Sequence, residues 1–278
     1  MARLVISDIH ADLHALDAII EIVNSHAFID RYGETTKIIN LGDVVERGYH
    51  PVEVIERILA IKDETNLISV IGDHDEAFLF DREISGSDPA SIRAHSALRE
   101  NKRCMRFFDG LPQYLTDYND RILAVHGGPI DPSTIKKNAF PDDWLYQRTW
   151  QRISETGYDF FDLSGYHYTP EHAFAYVKET FGEGFLILCG HEHFEACYSE
   201  IDRGVRNIIN GMIRRKEVFS DRVVYVKAMM RQKGVNYLVR VGIAGPEGYA
   251  RFGWDTSHFG LLWEHKGMDW IGLFSFVL

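Results

Sequence analysis

Cysteine is scarce in this chain, with only Cys104, Cys189 and Cys197 among 278 residues. They form no Cys-x-x-Cys pair and their number is odd. A disulfide framework is therefore a poor basis for the fold, and a reducing, cytoplasmic setting is expected. No apolar run approaches the roughly 18 residues that span a bilayer. The run Leu4-Val-Ile6 is too short for the core of a signal peptide. The apolar tail from Trp270 to Leu278 is half a membrane span and reads as a buried or edge strand. Positive charge is also in short supply: 30 Lys and Arg stand against 41 Asp and Glu, a formal charge of -11. Such a balance leaves no broad basic face, so long nucleic acid is not an expected partner. There is no internal repeat and no low-complexity segment. The remainder, 45% hydrophobic and 26% charged, is that of a globular protein.

What the chain does have is one event that recurs five times. A short apolar run of β type ends, and a cluster of Asp, His and Gly follows at once. Leu4-Val-Ile6 runs into Ser7-Asp8-Ile9-His10, and Lys37–Leu41 into Gly42-Asp43. Leu67–Ile71 runs into Gly72-Asp73-His74-Asp75, Arg121–Val125 into His126-Gly127-Gly128, and Phe185–Cys189 into Gly190-His191-Glu192-His193. Ligands of open α/β sheets bind just beyond the carboxyl ends of strands, so five such clusters are expected to converge.

Between the early strands the spacing predicts helices. Leu13, Leu16, Ile19, Ile20 and Val23 follow a 3.6-residue period behind Asp12 as N-cap. Val52, Ile55 and Leu59 do so behind Pro51, a residue suited to the first helical turn. A third helical stretch covers about 90–108. This alternation predicts an α/β architecture, with the whole of 1–278 as one domain. Residues 129–184, rich in aromatic and charged side chains, read as a helical cap inserted over the site. Residues 194–278 turn strand-rich and read as the completion of a second sheet.

Taken as chemistry, Asp8, His10, Asp43, Asp73, His126, His191 and His193 offer three carboxylates and four imidazoles. One ion rarely takes seven protein ligands, whereas two ions sharing a carboxylate can. The mixed O/N set suits Mn, Fe, Zn or Co. Two ions about 3.5–4 Å apart clamp the attacking and leaving oxygens of an in-line displacement and bring hydroxide within reach near neutral pH. The alternation of a strand end is expected to put both members of Asp8-x-His10, and of His191-x-His193, on one side. His14 and His26, assigned to the first helix, read as solvated or capping, and His50 as outside the site. Arg148 stands open between a second phosphate clamp and a surface ion pair.

The ordered set Asp8-x-His10, Gly42-Asp43-x-x-x-Arg47-Gly48, Gly72-Asp73-His74-Asp75, His126-Gly127-Gly128 and Gly190-His191-x-His193 resembles the calcineurin-like metallophosphoesterases. The run Ser7–Leu16 and the Arg47-Gly48 pair place it near the branch of serine/threonine protein phosphatases and symmetrical diadenosine tetraphosphatases. The resemblance implies a four-layer α/β/β/α sandwich of two mixed sheets flanked by helices. It implies two divalent ions, the first held by Asp8, His10 and His193, the second by Asp73, His126 and His191, with Asp43 bridging. It further implies that His74 contacts phosphate and protonates the leaving oxygen, that Asp75 orients His74, and that Arg47 grips phosphate oxygens. The family usually carries Asn where this chain has Asp73. The expected activity is metal-dependent hydrolysis of a phosphate ester or anhydride on a phosphorylated small molecule, nucleotide or phosphoprotein, by attack of a metal-bridged hydroxide. A phosphodiesterase of the same superfamily, or a catalytically weak phosphate-recognition scaffold, stands as the alternative.

Overall fold

Each apolar run that ends in a polar cluster forms a strand, and the faces of these strands divide by simple alternation. In β1 (Ala2–Ile6) the side chains of Leu4 and Ile6 face one apolar layer and Val5 faces another. The computed structural model describes residues 1–82, 87–138, 140–154, 164–201 and 204–278. The further strands are β2 (Thr35–Asn40), β3 (Asn66–Ser69), β4 (Tyr114–Asp117), β5 (Ile122–Val125), β6 (Arg152–Ile153), β7 (His167–Tyr168) and β8 (Leu186–Cys189). They are followed by β9 (Ala196–Ile201), β10 (Gly204–Asn207), β11 (Ile213–Phe219), β12 (Arg222–Met230), β13 (Tyr237–Arg240), β14 (Thr256–His265) and β15 (Met268–Val277). The helices are α1 (Leu13–Asn24), α2 (His26–Tyr32), α3 (Pro51–Glu64), α4 (Asp73–Leu79), α5 (Pro89–Glu100), α6 (Lys102–Met105) and α7 (Pro170–Thr180).

The first sheet has the order β11-β12-β15-β14-β1-β2-β3 and the second β10-β9-β13-β8-β5-β4; β6 and β7 pair alone. In the first, β1, β2 and β3 are parallel; in the second, β5, β8 and β13 are. The parallel direction within each sheet is what carries the five strand-end clusters to a common edge.

Three apolar layers hold the sandwich together. Leu4, Ile6 and Ile38 meet Leu16, Ile19, Ile55 and Ile58 of α1 and α3 on the outer face of the first sheet. Val5, Ile39, Ile122, Leu186 and Val239 fill the space between the sheets. Leu123, Val125 and Ile187 meet Ala173, Phe174 and Val177 of α7 on the outer face of the second. Fully burying one such aliphatic side chain contributes about 1.5–3 kcal/mol. The result is the expected α/β/β/α order.

The helix starts follow the sequence signals. The Asp12 carboxylate accepts from the Ala15 amide at 2.9 Å, and Pro51 opens α3. The stretch about 90–108 is α5, α6 and a 3-10 turn at Arg106–Phe108. His26 opens a separate helix, α2, capped by Ser25, and both His14 and His26 are exposed.

Two expectations are altered. The strands after residue 194 are shared out: β9, β10 and β13 complete the second sheet, whereas β11, β12, β14 and β15 extend the first. The reason is pairing, since β14 docks antiparallel on β1 and forms a long hairpin with β15. The tail strand β15 is accordingly an interior strand between β12 and β14. The segment 129–184 includes residues outside the described set. Its described part holds three 3-10 turns, the pair β6–β7 and one α-helix, α7, on the outer face of the second sheet. Within the described part, the 3-10 turn Arg148–Trp150 reaches the site, where its Trp150 ring meets His191 edge-on at 6.5 Å.

No helix among the described residues is long and apolar enough to cross a membrane. All three cysteines are free and buried. Burial pushes the thiols of Cys189 and Cys197 up to about 12. Native protein at pH 8 is therefore expected to react with none of its thiols toward a disulfide reagent, and with all three in denaturant. Rapid labelling of the folded chain would contradict this.

Candidate metal centre

The five clusters do converge, and the backbone is contorted to make them do so. Asp8, His10, Asp43, His191 and His193 have φ between 48° and 69°. The left-handed region is uncommon for residues other than glycine, though Asp and His tolerate it better than most, and such strain gathers at functional sites. The expectation that strand alternation aims Asp8 with His10, and His191 with His193, is thus corrected. These residues lie beyond the strand ends, in tight left-handed turns that aim both side chains inward. Two glycines make room. A Cβ on Gly72 or on Gly190 would collide with the carboxylate of Asp43 or of Asp8.

The candidate ligand atoms form two groups. Those of Asp8, His10 and His193 lie within 4.8 Å of one another, as do those of Asp43, Asp73, His126 and His191. Asp43 also forms such a group with His10 and His74, so it stands between the two. Nε2 of His10 and Nε2 of His193 face each other at 3.1 Å, with Asp8 Oδ1 at 3.3 Å from the latter. Asp73 Oδ1 lies 2.8 Å from His126 Nε2 and 2.9 Å from His191 Nδ1. Except for the slightly open His193, these side chains are fully or nearly fully buried.

The imidazoles are oriented from behind. The Leu41 carbonyl takes His126 Nδ1–H at 2.8 Å, which turns Nε2 toward Asp43 and Asp73. Val45 O stands 3.4 Å behind His10 Nδ1.

Burial lowers His126, yet the carboxylates of Asp43, Asp73 and Asp8 carry it well above the usual histidine value. Burial and the negative charge of Asp73 push Asp43 well above the carboxylate range. Asp73 itself is drawn well below that range by His191 and His126, against the opposing effect of burial. Burial and the charge of Arg152 bring His191 down to about 4. Buried carboxylates and imidazoles this close are stabilised by positive charge among them, which a bound cation would supply. Asp43 Oδ2 and His191 Nε2 are buried with no hydrogen-bond partner. Orphaned donors of this hardness, in a mixed O/N set, fit divalent cations such as Mn, Fe, Zn or Co.

His74 and Arg47 arrive at the same place. Arg47 Nη2 lies 3.4 Å from His74 Nε2, and the His74 ring meets that of His10 edge-on at 4.9 Å. Burial holds His74 well below the usual histidine value, and Arg47, His193 and His191 add to this against Asp73.

Asp75 is a correction. The sequence assigns it to orient His74, but His74 Nδ1 is buried without a partner. The Asp75 carboxylate instead accepts four backbone N–H groups: Gly72 and Asp43 at 3.0 Å on Oδ2, Val44 at 2.9 Å and Val45 at 3.2 Å on Oδ1. As the third residue of α4 it reaches back to the N-cap amide, as a helix-start carboxylate does, and in the same stroke ties down the Asp43 loop. Burial pushes this carboxyl up to about 6 against the opposing pull of the amides, so it is ionised at neutral pH.

Sequence reasoning also missed residues. His95 of α5 accepts from the Glu46 amide at 2.6 Å and so braces the turn that carries Arg47, where φ is 72°. Its Nδ1 is fixed by the Ser91 carbonyl at 2.7 Å. The Ser91/His95 spacing of four on one helix face was the available signal. Tyr249 lies against the site, its ring 5.4 Å from that of His10 and 4.8 Å from that of His193; no motif marks it. Arg148 is turned into the protein. Its guanidinium is buried on the Pro129 carbonyl, beside Asp131 and over the Tyr114 ring. His50 turns away toward Glu247 and His14.

Comparison with known proteins places the fold among solved structures. The fold matches the crystal structure of a metallophosphoesterase from Sphaerobacter thermophilus, with a TM-score of 0.58 and 21% identity over 100% of this chain and 89% of that one. It also matches a hypothetical protein, PH1004, from Pyrococcus horikoshii OT3, with a TM-score of 0.53 and 17% identity over 94% and 82%. An uncharacterized protein of Methanocaldococcus jannaschii, MJ0912, is 26% identical over 201 residues, which are 70% of this chain and 64% of that protein. This chain thus spans slightly less than two thirds of that relative's length. The sequence profile of the calcineurin-like phosphoesterases (Metallophos) matches residues 1–195, the stretch that contains all five clusters, and the chain belongs to that family.

Proposed function

We propose that the chain is a binuclear metal-dependent phosphohydrolase. Asp8, His10 and His193 would hold one ion and Asp73, His126 and His191 the other, with Asp43 within reach of both. The observation that carries this reading is the pair of ligand groups with Asp43 between them. Ions held there supply Lewis-acid stabilisation of phosphoryl oxygens and lower the pKa of water toward neutrality.

The chain's own residues do the rest. Arg47 presents its guanidinium beside His74, where it binds phosphate oxygens and compensates their charge. His74, held beside Arg47, is placed to donate a proton to the departing oxygen. Asp75 maintains the Asp43 loop through the four amides. A cytoplasmic location is the reading that three unpaired, buried thiols support.

Hydrolysis of p-nitrophenyl phosphate, compared with bis(p-nitrophenyl) phosphate at added Mn, tests the reading. Mn-dependent release from the monoester supports it. Release from the diester alone turns it to a phosphodiesterase, and release from neither points to a recognition scaffold.

Asp73 makes a sharper test. Three carboxylates against two divalent ions leave one net positive charge, where the usual Asn leaves two. Asp73→Asn is expected to weaken Mn binding, because its oxygen serves His126 and His191, yet to hold or raise turnover at saturating Mn. Loss of activity with both ions bound, measured by metal analysis, would refute this charge argument.

A further inference from the structure

One side of the centre is walled by aromatic rings for which the phosphoryl chemistry has no use. Two of them, Tyr249 and Trp254, are held on the segment 243–254, which is laced to the ligand loops. The Ile243 amide donates to His193 O at 3.1 Å, that of Ala244 to Ser7 O at 2.9 Å, and that of Gly245 to Asp8 O at 3.0 Å. The Glu247 amide donates to the Asp12 carboxylate at 2.9 Å. The wall is therefore fixed relative to the ligands.

Its inner ring is Tyr249, which lies under the Arg47 guanidinium at 5.5 Å and beside His10 and His193. Trp254 stacks on Tyr249 at 5.4 Å and 27°, and Phe194 joins Trp254 at 5.2 Å. Trp254 is only partly buried, and Phe194, the residue directly after His193, is 61% exposed. Large rings left in water next to a charged site gain nothing from the core. Clustered exposed rings rimmed by a polar site are the form that ligand surfaces take.

We propose that Trp254 and Phe194 are specificity-determining residues that stack a planar aromatic group carried by the substrate, while its phosphate lies at the centre. This rests on the phosphoesterase reading and adds the chemical class of the group attached to the phosphate. A nucleobase and a simple aryl group share the required chemistry, since every planar ring offers a π-face.

The test uses matched competitors of p-nitrophenyl phosphate hydrolysis in the Mn-loaded protein. AMP is compared with ribose 5-phosphate, and phenylphosphonate with methylphosphonate; the members of each pair differ in the ring. Binding is read in parallel by isothermal titration calorimetry, which needs neither turnover nor Trp254 as a reporter. The ring-bearing member is expected to bind about tenfold or more tightly, as base–aromatic stacking does. The ratio should fall toward one in Trp254→Ala and Phe194→Ala and persist in Trp254→Phe. A preference in the AMP pair alone identifies a base, and a preference in the phosphonate pair alone identifies an aryl group. Equal binding within both pairs overturns the proposal, as does a preference that both alanine variants retain. Failure of the phosphoesterase reading is a separate result: no Mn-dependent hydrolysis of either p-nitrophenyl ester, with the calorimetric titration still deciding the stacking.

Discussion

His74→Asn is expected to slow turnover of an alkyl phosphate by roughly 10²–10⁴-fold, the range of general acid catalysis, with both ions still bound. The loss should shrink for p-nitrophenyl phosphate, whose leaving oxygen needs little protonation. His74 is suited to this role by position. It follows the candidate ligand Asp73, its ring packs on that of His10, and its Nε2 lies beside Arg47. Burial, with Arg47 beside it, holds its pKa well below the usual histidine value. Equal slowing across leaving groups would remove the acid role and leave His74 as a phosphate contact. Metal analysis of the variant separates either outcome from loss of an ion.

Asp75→Asn should behave as a structural lesion. The amide nitrogen of Asn would confront two of the four backbone N–H groups that the carboxylate accepts. Leaving a buried donor unsatisfied costs about 1–3 kcal/mol, so the pair costs about 2–6 kcal/mol. In a chain of this size about 3 kcal/mol corresponds to a fall in Tm of roughly 6–12 °C. Because two of those amides belong to Asp43 and Val44, Mn affinity should fall with stability. Thermal unfolding and a Mn titration check both. The contrary result, unchanged Tm and Mn affinity with slowing confined to poor leaving groups, would return Asp75 to a partnership with His74.

These two neighbours show where reading by residue type stops. His74 and Asp75 are adjacent in the chain, and a carboxylate beside an imidazole suggests a pair. Both lie in the first turn of α4, where successive side chains diverge by about 100° around the axis. His74 faces the centre and Asp75 faces the helix start and the Asp43 loop. The same limit applies to Arg148, which composition offers as a phosphate clamp and folding buries against Pro129 O and the Tyr114 ring.

By itself the sequence determined which strands carry the site and which residues meet there. The apolar runs alternate faces with a period of two, so both sides of β1, β2, β5 and β8 had to be covered, and a polar cluster ending each run had to lie at a sheet edge. Asp12 and Pro51 likewise announced α1 and α3 through local hydrogen bonding and φ alone. The tertiary structure decided everything that depends on long-range pairing or on the direction of a side chain. Nothing local to residues 256–277 says that β14 pairs with β1 and not with the second sheet. Nothing local to Tyr249 or Trp254 places them at the centre, and nothing local to His95 places it behind the Arg47 turn. Their positions follow from amides and carbonyls some 50 to 240 residues away in the chain, as between His95 and Glu46 or Glu247 and Asp12.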